Sequence, residues 1–434
     1  MEIYIVQPGD NIYTIAVKYG VTPLQIIYDN GIENPLSLVP GQTVVITYPS
    51  KTHTVQAGDS LSSIASSYGI SIMQLLRNNS YLSGRNNIYP GETLVISYDT
   101  SKKINVNGYT YPFINKENLK RTLPFLTFLS IFNYRVLDKG EVLTYRDDYE
   151  IIEMAKDYGT IPLLMISTLN QSGENDLEIA YKILSTAEYQ DILFQNILKI
   201  LQSKGYSGVN IVLSAINTNN QNLYINFLTK ISKQLNDEGY LLFVTINPNI
   251  RYADNKITFE QIDYNTIGKL VYRITFFQYY WGINTNPPAP VSSIEFLKAF
   301  SDYLISITLL DNISIGKPVL AYDWTLPFIQ GESYANSLSI NSALTLANEV
   351  GTTIQFDETS QTPFYYYNRS YVGEPEDHIV WSIDARSIKA LDDLIINYGY
   401  TGSGIWNIMS FNQQMWTIII SRFEITKLIP DNIS

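Results

Sequence analysis

Apolar positions near the start of the chain fall into a helical rhythm that the chain then repeats. Ile12, Ile15, Ala16 and Tyr19 share one face of a helix, and Leu61, Ile64, Ala65 and Tyr68 repeat that face. The surrounding residues repeat as well, so that Val6 pairs with Val55, Gly9 with Gly58 and Asp10 with Asp59. Pro40-Gly41 pairs with Pro90-Gly91 one residue further displaced, which puts an added residue in a loop. Each copy reads as strand, helix, helix, strand. The Asp after each glycine is expected to cap the first helix. Gly20 and Gly69 end that helix as left-handed caps. Thr22-Pro23 and Ser71 start the second helix, and 43–47 and 93–97 are the closing strands.

From about Lys102 the rhythm changes to apolar runs alternating with amphipathic helices. Strands are predicted near 109–115, 126–134, 162–167, 208–215, 241–247, 271–280, 318–324 and 404–408. Helices are predicted at 147–158, 177–204, 222–238, 293–309, 340–349, 387–398 and 411–420. Eight strands alternating with helices fit a closed parallel (β/α)8 barrel. The stretch 325–384 is too long for a loop and carries runs of its own at 353–356, 364–368 and 378–383, so a small α+β insertion on the barrel rim is expected. The fold class is therefore α/β: two small βααβ units at 1–49 and 50–99, then a TIM barrel over 100–434.

Composition narrows the chemistry. The chain carries a net charge of -12 and has no cysteine. Nucleic acid is a poor partner, because phosphate contacts need clustered cations, and thiolate metal sites are ruled out. The two histidines, His53 and His378, lie far apart, so neither a histidine metal centre nor a Ser-His triad is expected, and no cofactor is called for. No apolar run is long enough to span a bilayer, and the amino terminus has no signal-peptide pattern, so synthesis in the cytoplasm is expected. Tyrosine is abundant, at 34, a residue whose ring stacks and whose hydroxyl bonds.

The repeated unit resembles the LysM module, on its Gly-Asp, the Ile-Ala of the first helix, Asn30 and Asn79 ending the second, and the Pro-Gly before the last strand. The resemblance implies binding of peptidoglycan or chitin-like glycans that contain N-acetylglucosamine, largely through loop backbone groups. It sets Asp10, Asn11 and Ile12 opposite Asn30, Gly31 and Ile32. In the second copy it sets Asp59, Ser60 and Leu61 opposite Asn79 and Ser80.

The remainder, 103–425, resembles glycoside hydrolase family 18. The whole arrangement is similar to the spore cortex-lytic N-acetylglucosaminidases. The motifs are GYSGVNI at 205–211, YYWG at 279–282, YDWTLP at 322–327, DARS at 384–387 and GIWN at 404–407. The resemblance implies sugar contacts at Tyr279, Tyr322, Asp323, Trp324 and Trp406. It also implies substrate-assisted cleavage, in which a Glu at the end of strand four protonates the leaving oxygen and an Asp two residues earlier orients the acetamido group. Those positions read Ser214 and Val212, and an acidic position of strand six reads Tyr280. A serine hydroxyl is too weak an acid for that work. The reading at this point is a catalytically inactive, glycan-binding protein of a bacterial spore coat or envelope, with itself or other coat proteins as possible partners. Two alternatives stand beside it: an active N-acetylglucosaminidase with a relocated acid (Asp323, Glu174 or Asp176), and a self-assembling scaffold without sugar binding.

Overall fold

A computed structural model of the chain describes residues 1–85, 87–100, 102–169, 176–213, 215–253, 256–278, 285–307, 311–371 and 374–431. In the first repeat, strand Glu2–Ile5 pairs antiparallel with Thr43–Ile46, and helices Ile12–Tyr19 and Pro23–Asn30 cover the ribbon. In the second, Lys51–Thr54 pairs with Thr93–Ser97 beneath helices Leu61–Tyr68 and Ile72–Asn78. A two-stranded ribbon is marginal in water without such a cover. Each unit has its own small core, built on Ile12, Ile15 and Ile26 in one and Ile64, Leu75 and Leu94 in the other.

The helix caps correct the sequence reading by one residue. Asn11 and Ser60, not Asp10 and Asp59, are the N-caps, each in a reciprocal box with Thr14 or Ser63. The aspartates stand one position too early to reach the helix. They turn back instead, and each accepts the N–H of Gln7 or Gln56 at 2.7 Å to close the preceding turn.

The barrel strands are β1 (Lys102–Thr110), β2 (Phe128–Val136), β3 (Ile161–Ser167), β4 (Gly208–Leu213), β5 (Leu241–Ile246), β6 (Arg273–Phe276), β7 (Ile313–Pro318) and β8 (Gly402–Trp406). They pair in parallel in that order, and β8 closes on β1 with Trp406 opposite Tyr109. The expected helix at 177–204 is two helices, Leu177–Ser185 and Ala187–Lys204.

Strands one and seven are misplaced: the run expected at 109–115 shares only its first two residues with β1. The run at 318–324 straddles the end of β7 and the first strand of the insertion, Ala321–Leu326. The true strand, ISIGKP, looks unlike a core strand because it holds a lysine. Lys317 is fully buried, and its ammonium donates to Ser403 at 2.6 Å and pairs with the buried Asp392 at 3.0 Å. The insertion is a five-stranded antiparallel sheet with helix Ile340–Glu349 on one face.

Candidate active site at the mouth of the barrel

Strand alternation sorts the residues of β4. Asn210 points into the barrel, where its amide donates to Ser130 at 2.9 Å and accepts from the Thr245 hydroxyl at 2.9 Å. The Tyr109 hydroxyl bonds Thr245 at 2.9 Å, so these side chains form one buried polar layer across the barrel. Val212, two residues on, shares that face one layer nearer the mouth and is 8% exposed. Ser214 lies outside the described residues, as do Tyr279 and Tyr280.

Above that layer the mouth is aromatic. Trp406 ends β8, and its ring lies 6.0 Å from Tyr109, 5.8 Å from Tyr111 and 6.3 Å from Phe132. Burial, with Tyr322 adding to it, pushes the Tyr111 hydroxyl up to about 12, so it is a hydrogen-bond donor at neutral pH.

The insertion roofs this end with one face of its sheet. Tyr322, Trp324 and Ile379 belong to the barrel's apolar core, with Phe364 and Trp381 packed against it. Phe364 and Trp381 stack at 4.6 Å, and Trp324 donates its indole N–H to the Asn286 carbonyl at 2.8 Å. Sequence reading missed Tyr111, Phe132, Phe364 and Trp381. The last two sit in runs whose alternation is readable, but which face meets the barrel depends on long-range pairing.

The same alternation corrects Asp323. It lies between Tyr322 and Trp324 on the strand and so points to the opposite face, under helix Ile340–Glu349. There its carboxylate accepts the Tyr367 hydroxyl at 2.7 Å and bonds His378 Nδ1 at 3.0 Å. It does not face the mouth, and sugar contact or acid catalysis by it is set aside. Asp176 is described: it caps helix Leu177–Ser185 through the Ile179 N–H and pairs with Arg135 at 3.4 Å. Glu174 lies outside the described residues.

The LysM candidates divide in a similar way. Asn11 and Asp10 stand at the first helix start and Asp59 and Ser60 at its counterpart, while Leu61 is half-buried there. Ile12 has no exposed surface and is a core residue. The Asn30 side chain bridges Ile26 and Val45 and also accepts from Gln414 of the last helix, Gln413–Arg422. Gly31 packs against Gln413 of the same helix, and Ile32 is half-buried. Asn79 and Ser80 are buried, the first bridging Leu75 and Val95, the second bonded to Gln413. Side chains at Ile12, Asn79 and Ser80 are therefore unavailable to a glycan, because folding and docking on the barrel have consumed them.

Comparison with known proteins bears on this arrangement directly. The LysM domain model matches residues 4–47 and 53–97, and the model for glycosyl hydrolases family 18 matches residues 136–410. The chain belongs to glycosyl hydrolase family 18. This family 18 chain is 31% identical to the cortical fragment-lytic enzyme of Bacillus cereus over 98% of its own length and 99% of the relative's. It is 30% identical to the Bacillus subtilis protein of the same name, with the same coverage. The crystal structure of the Bacillus megaterium QM B1551 spore cortex-lytic enzyme SleL superposes with a TM-score of 0.79 at 28% identity, covering 98% of this chain and 99% of that one.

These relatives correct the functional expectation. Val212 and Ser214 pointed to an inactive binding protein, but relatives that span the whole chain, modules and barrel alike, are named as lytic enzymes. Among the described residues there is no cluster of three or more metal-ligating side chains, and no helix is long and apolar enough to cross a membrane.

Proposed function

We propose that the chain is a peptidoglycan hydrolase of the N-acetylglucosaminidase type, acting on the cortex or cortex fragments of a bacterial spore. The observation that carries this reading is the unbroken likeness to cortical fragment-lytic enzymes over 98% of the chain. Binding of glycans rich in N-acetylglucosamine follows from the two LysM modules and the family 18 barrel together. Domain borders at 1–49, 50–99 and 100–434 belong to the same proposal.

In this reading the substrate's acetamido oxygen attacks the anomeric carbon while an acid protonates the leaving oxygen. Neither Val212 nor Ser214 can give that proton, so the donor stands outside β4. The loop after β3, the neighbour of β4 in the barrel, carries Glu174 and Asp176 and supplies it. Trp406, Tyr322 and Tyr279 shape the sugar site, with the buried Trp324 packed behind them, and the turns at Asp10-Asn11 and Asp59-Ser60 hold glycan through backbone groups.

The test is incubation of the full chain with cortex fragments, with products followed by mass spectrometry. Glycan products ending in N-acetylglucosamine are expected. One of Glu174→Gln and Asp176→Asn should lower the rate by about 100-fold or more. A Val212→Asp, Ser214→Glu double variant should raise it. No product from the unmodified chain would overturn the reading, and unchanged rates in both loop variants would overturn the assignment of the acid.

A further inference from the structure

β1 ends at Thr110, and Tyr111-Pro112-Phe113 carry the chain out over the rim of the barrel mouth. The Tyr111 and Phe113 rings stack, 5.3 Å apart with 17° between their planes. Tyr111 in turn meets Trp406 edge to face at 5.8 Å. The aromatic wall of the mouth is therefore continued outward, from the buried Trp406 to Phe113, which is 56% exposed. An open ring beside a carbohydrate site offers a flat apolar face to a sugar.

The run ends on a cation. The Arg146 guanidinium lies over the Phe113 ring, 5.4 Å from its centre. Arg146 is exposed, but its backbone is pinned from both sides by the buried Asn133. Its N–H donates to the Asn133 amide oxygen at 3.0 Å, and its carbonyl accepts from the Asn133 amide nitrogen at 2.7 Å. The carboxylates nearest in sequence are engaged elsewhere. Asp147 pairs with Lys204, and Glu150 with Lys116 at 2.5 Å. Asp148 is buried and accepts from the Tyr134 and Tyr206 hydroxyls at 2.5 and 2.6 Å. Among the described residues, none forms an ion pair with Arg146.

The surroundings give this free guanidinium its meaning. The chain carries a net charge of -12, so an acidic polymer is repelled by the protein as a whole. Arg146 puts one charge of opposite sign beside the mouth. A guanidinium holds a carboxylate through two parallel N–H bonds, and the ring beneath it limits the directions in which that fork can point.

We infer that Phe113 and Arg146 select acidic glycan. With one sugar seated at Trp406, the Phe113 ring takes the face of a sugar further along the chain. The guanidinium takes the carboxylate of that sugar's lactyl or peptide substituent, a group that chitin-like polymers lack. Arg146 is a specificity residue in this arrangement and touches no reacting atom. The inference deepens the peptidoglycan reading above and rests on it.

The test uses the full chain and two probes. One is a soluble peptidoglycan tetrasaccharide whose stem peptides end in free carboxylates. The other is the same molecule with those carboxylates amidated by methylamine. Hydrogen exchange over 111–116 and 144–150 reads binding at this rim and leaves the LysM modules out of the measurement. The acid probe should protect these segments at about a fivefold lower concentration than the amidated one. That gap should narrow as salt is raised. Arg146→Gln should abolish the preference, and Arg146→Lys should keep part of it, because the charge stays while the fork is lost. Equal protection by the two probes, no protection by either, or an undiminished preference in Arg146→Gln overturns the inference. Cleavage of the acid probe, followed in parallel, separates it from the hydrolase reading. The expected preference without cleavage counts against the hydrolase alone, and cleavage without the preference counts against Arg146 alone.

Discussion

Pro40-Gly41 and Pro90-Gly91 are the same turn in two copies of one module, and only the first is a contact surface. Gly41 has φ +84°, and a Cβ there would lie 2.0 Å from the Ile354 carbonyl oxygen. Gly91 has φ +95°, with nothing within 4 Å of a Cβ. Both glycines satisfy the left-handed turn, but Gly41 also lets the insertion's backbone approach. The residues after the second helices differ too: Gly31 ends its helix in the left-handed region, whereas Asn79 does so at φ -133° and is followed by a short 3-10 turn. The same Pro-Gly turn thus meets the insertion in one copy and open space in the other.

The sharpest way to break this comparison is to add one methyl group at each turn. Gly41→Ala combines a left-handed strain with a backbone clash and should cost about 2–4 kcal/mol. Gly91→Ala meets only the strain and should cost about 1 kcal/mol. Urea unfolding with hydrogen exchange over 340–357 reads both. Equal losses would mean that module 1 is not held by the contact at Ile354.

A smaller effect, of opposite sign, lies at Asp29. Burial pushes its carboxyl up to about 6, against the lowering effect of hydrogen bonds from Thr47 and Gln25. The second copy has the neutral Asn78 at this place, donating to the Ile96 carbonyl at 2.8 Å. A raised carboxylate contributes most when protonated, so its contribution is full below about pH 4 and is lost as pH rises through about 6. Asp29→Asn should stabilise the chain by about 1–2 kcal/mol at pH 8 and leave it unchanged near pH 4. Thermal melts at the two pH values check this, and a gain that did not depend on pH would sink the explanation.

The smallest expected effect separates the two modules at the last helix. Gln414 bonds Asn30 and Thr43 of the first, and Gln413 bonds Ser80 of the second. Gln414→Ala should loosen the first module alone by about 1 kcal/mol, whereas Gln413→Ala, which also trims a contact with Gly31, should loosen chiefly the second by about as much. Exchange rates in 26–34 and 76–82 would show it, and a shared response would mean that the modules move as one.

Much of the architecture was legible because it is local or periodic. The repeat, the helix faces and the left-handed glycine caps were read where they are observed. The caps themselves slipped by one residue, since Asp and Asn are both good caps and only the backbone decides which reaches the helix. Strand seven was hidden by Lys317, which reads as a surface residue until its partner Asp392, on another element, is known. Val212 and Ser214 were read from the sequence alone, Ser214 lies outside the described residues, and the functional conclusion drawn from them did not survive comparison with full-length lytic relatives.

By itself the sequence determined two copies of a small module, a barrel rhythm, an aromatic-rich barrel and the absence of acids at Val212 and Ser214. Those follow from side-chain periodicity and identity, which need no partner. Only the tertiary structure decided that Asp323 turns away from the mouth, that Asn79 and Ser80 are buried, and that one module's Pro-Gly turn meets the insertion. Each of these depends on which face of an element meets a distant one, and pairing across hundreds of residues sets that face.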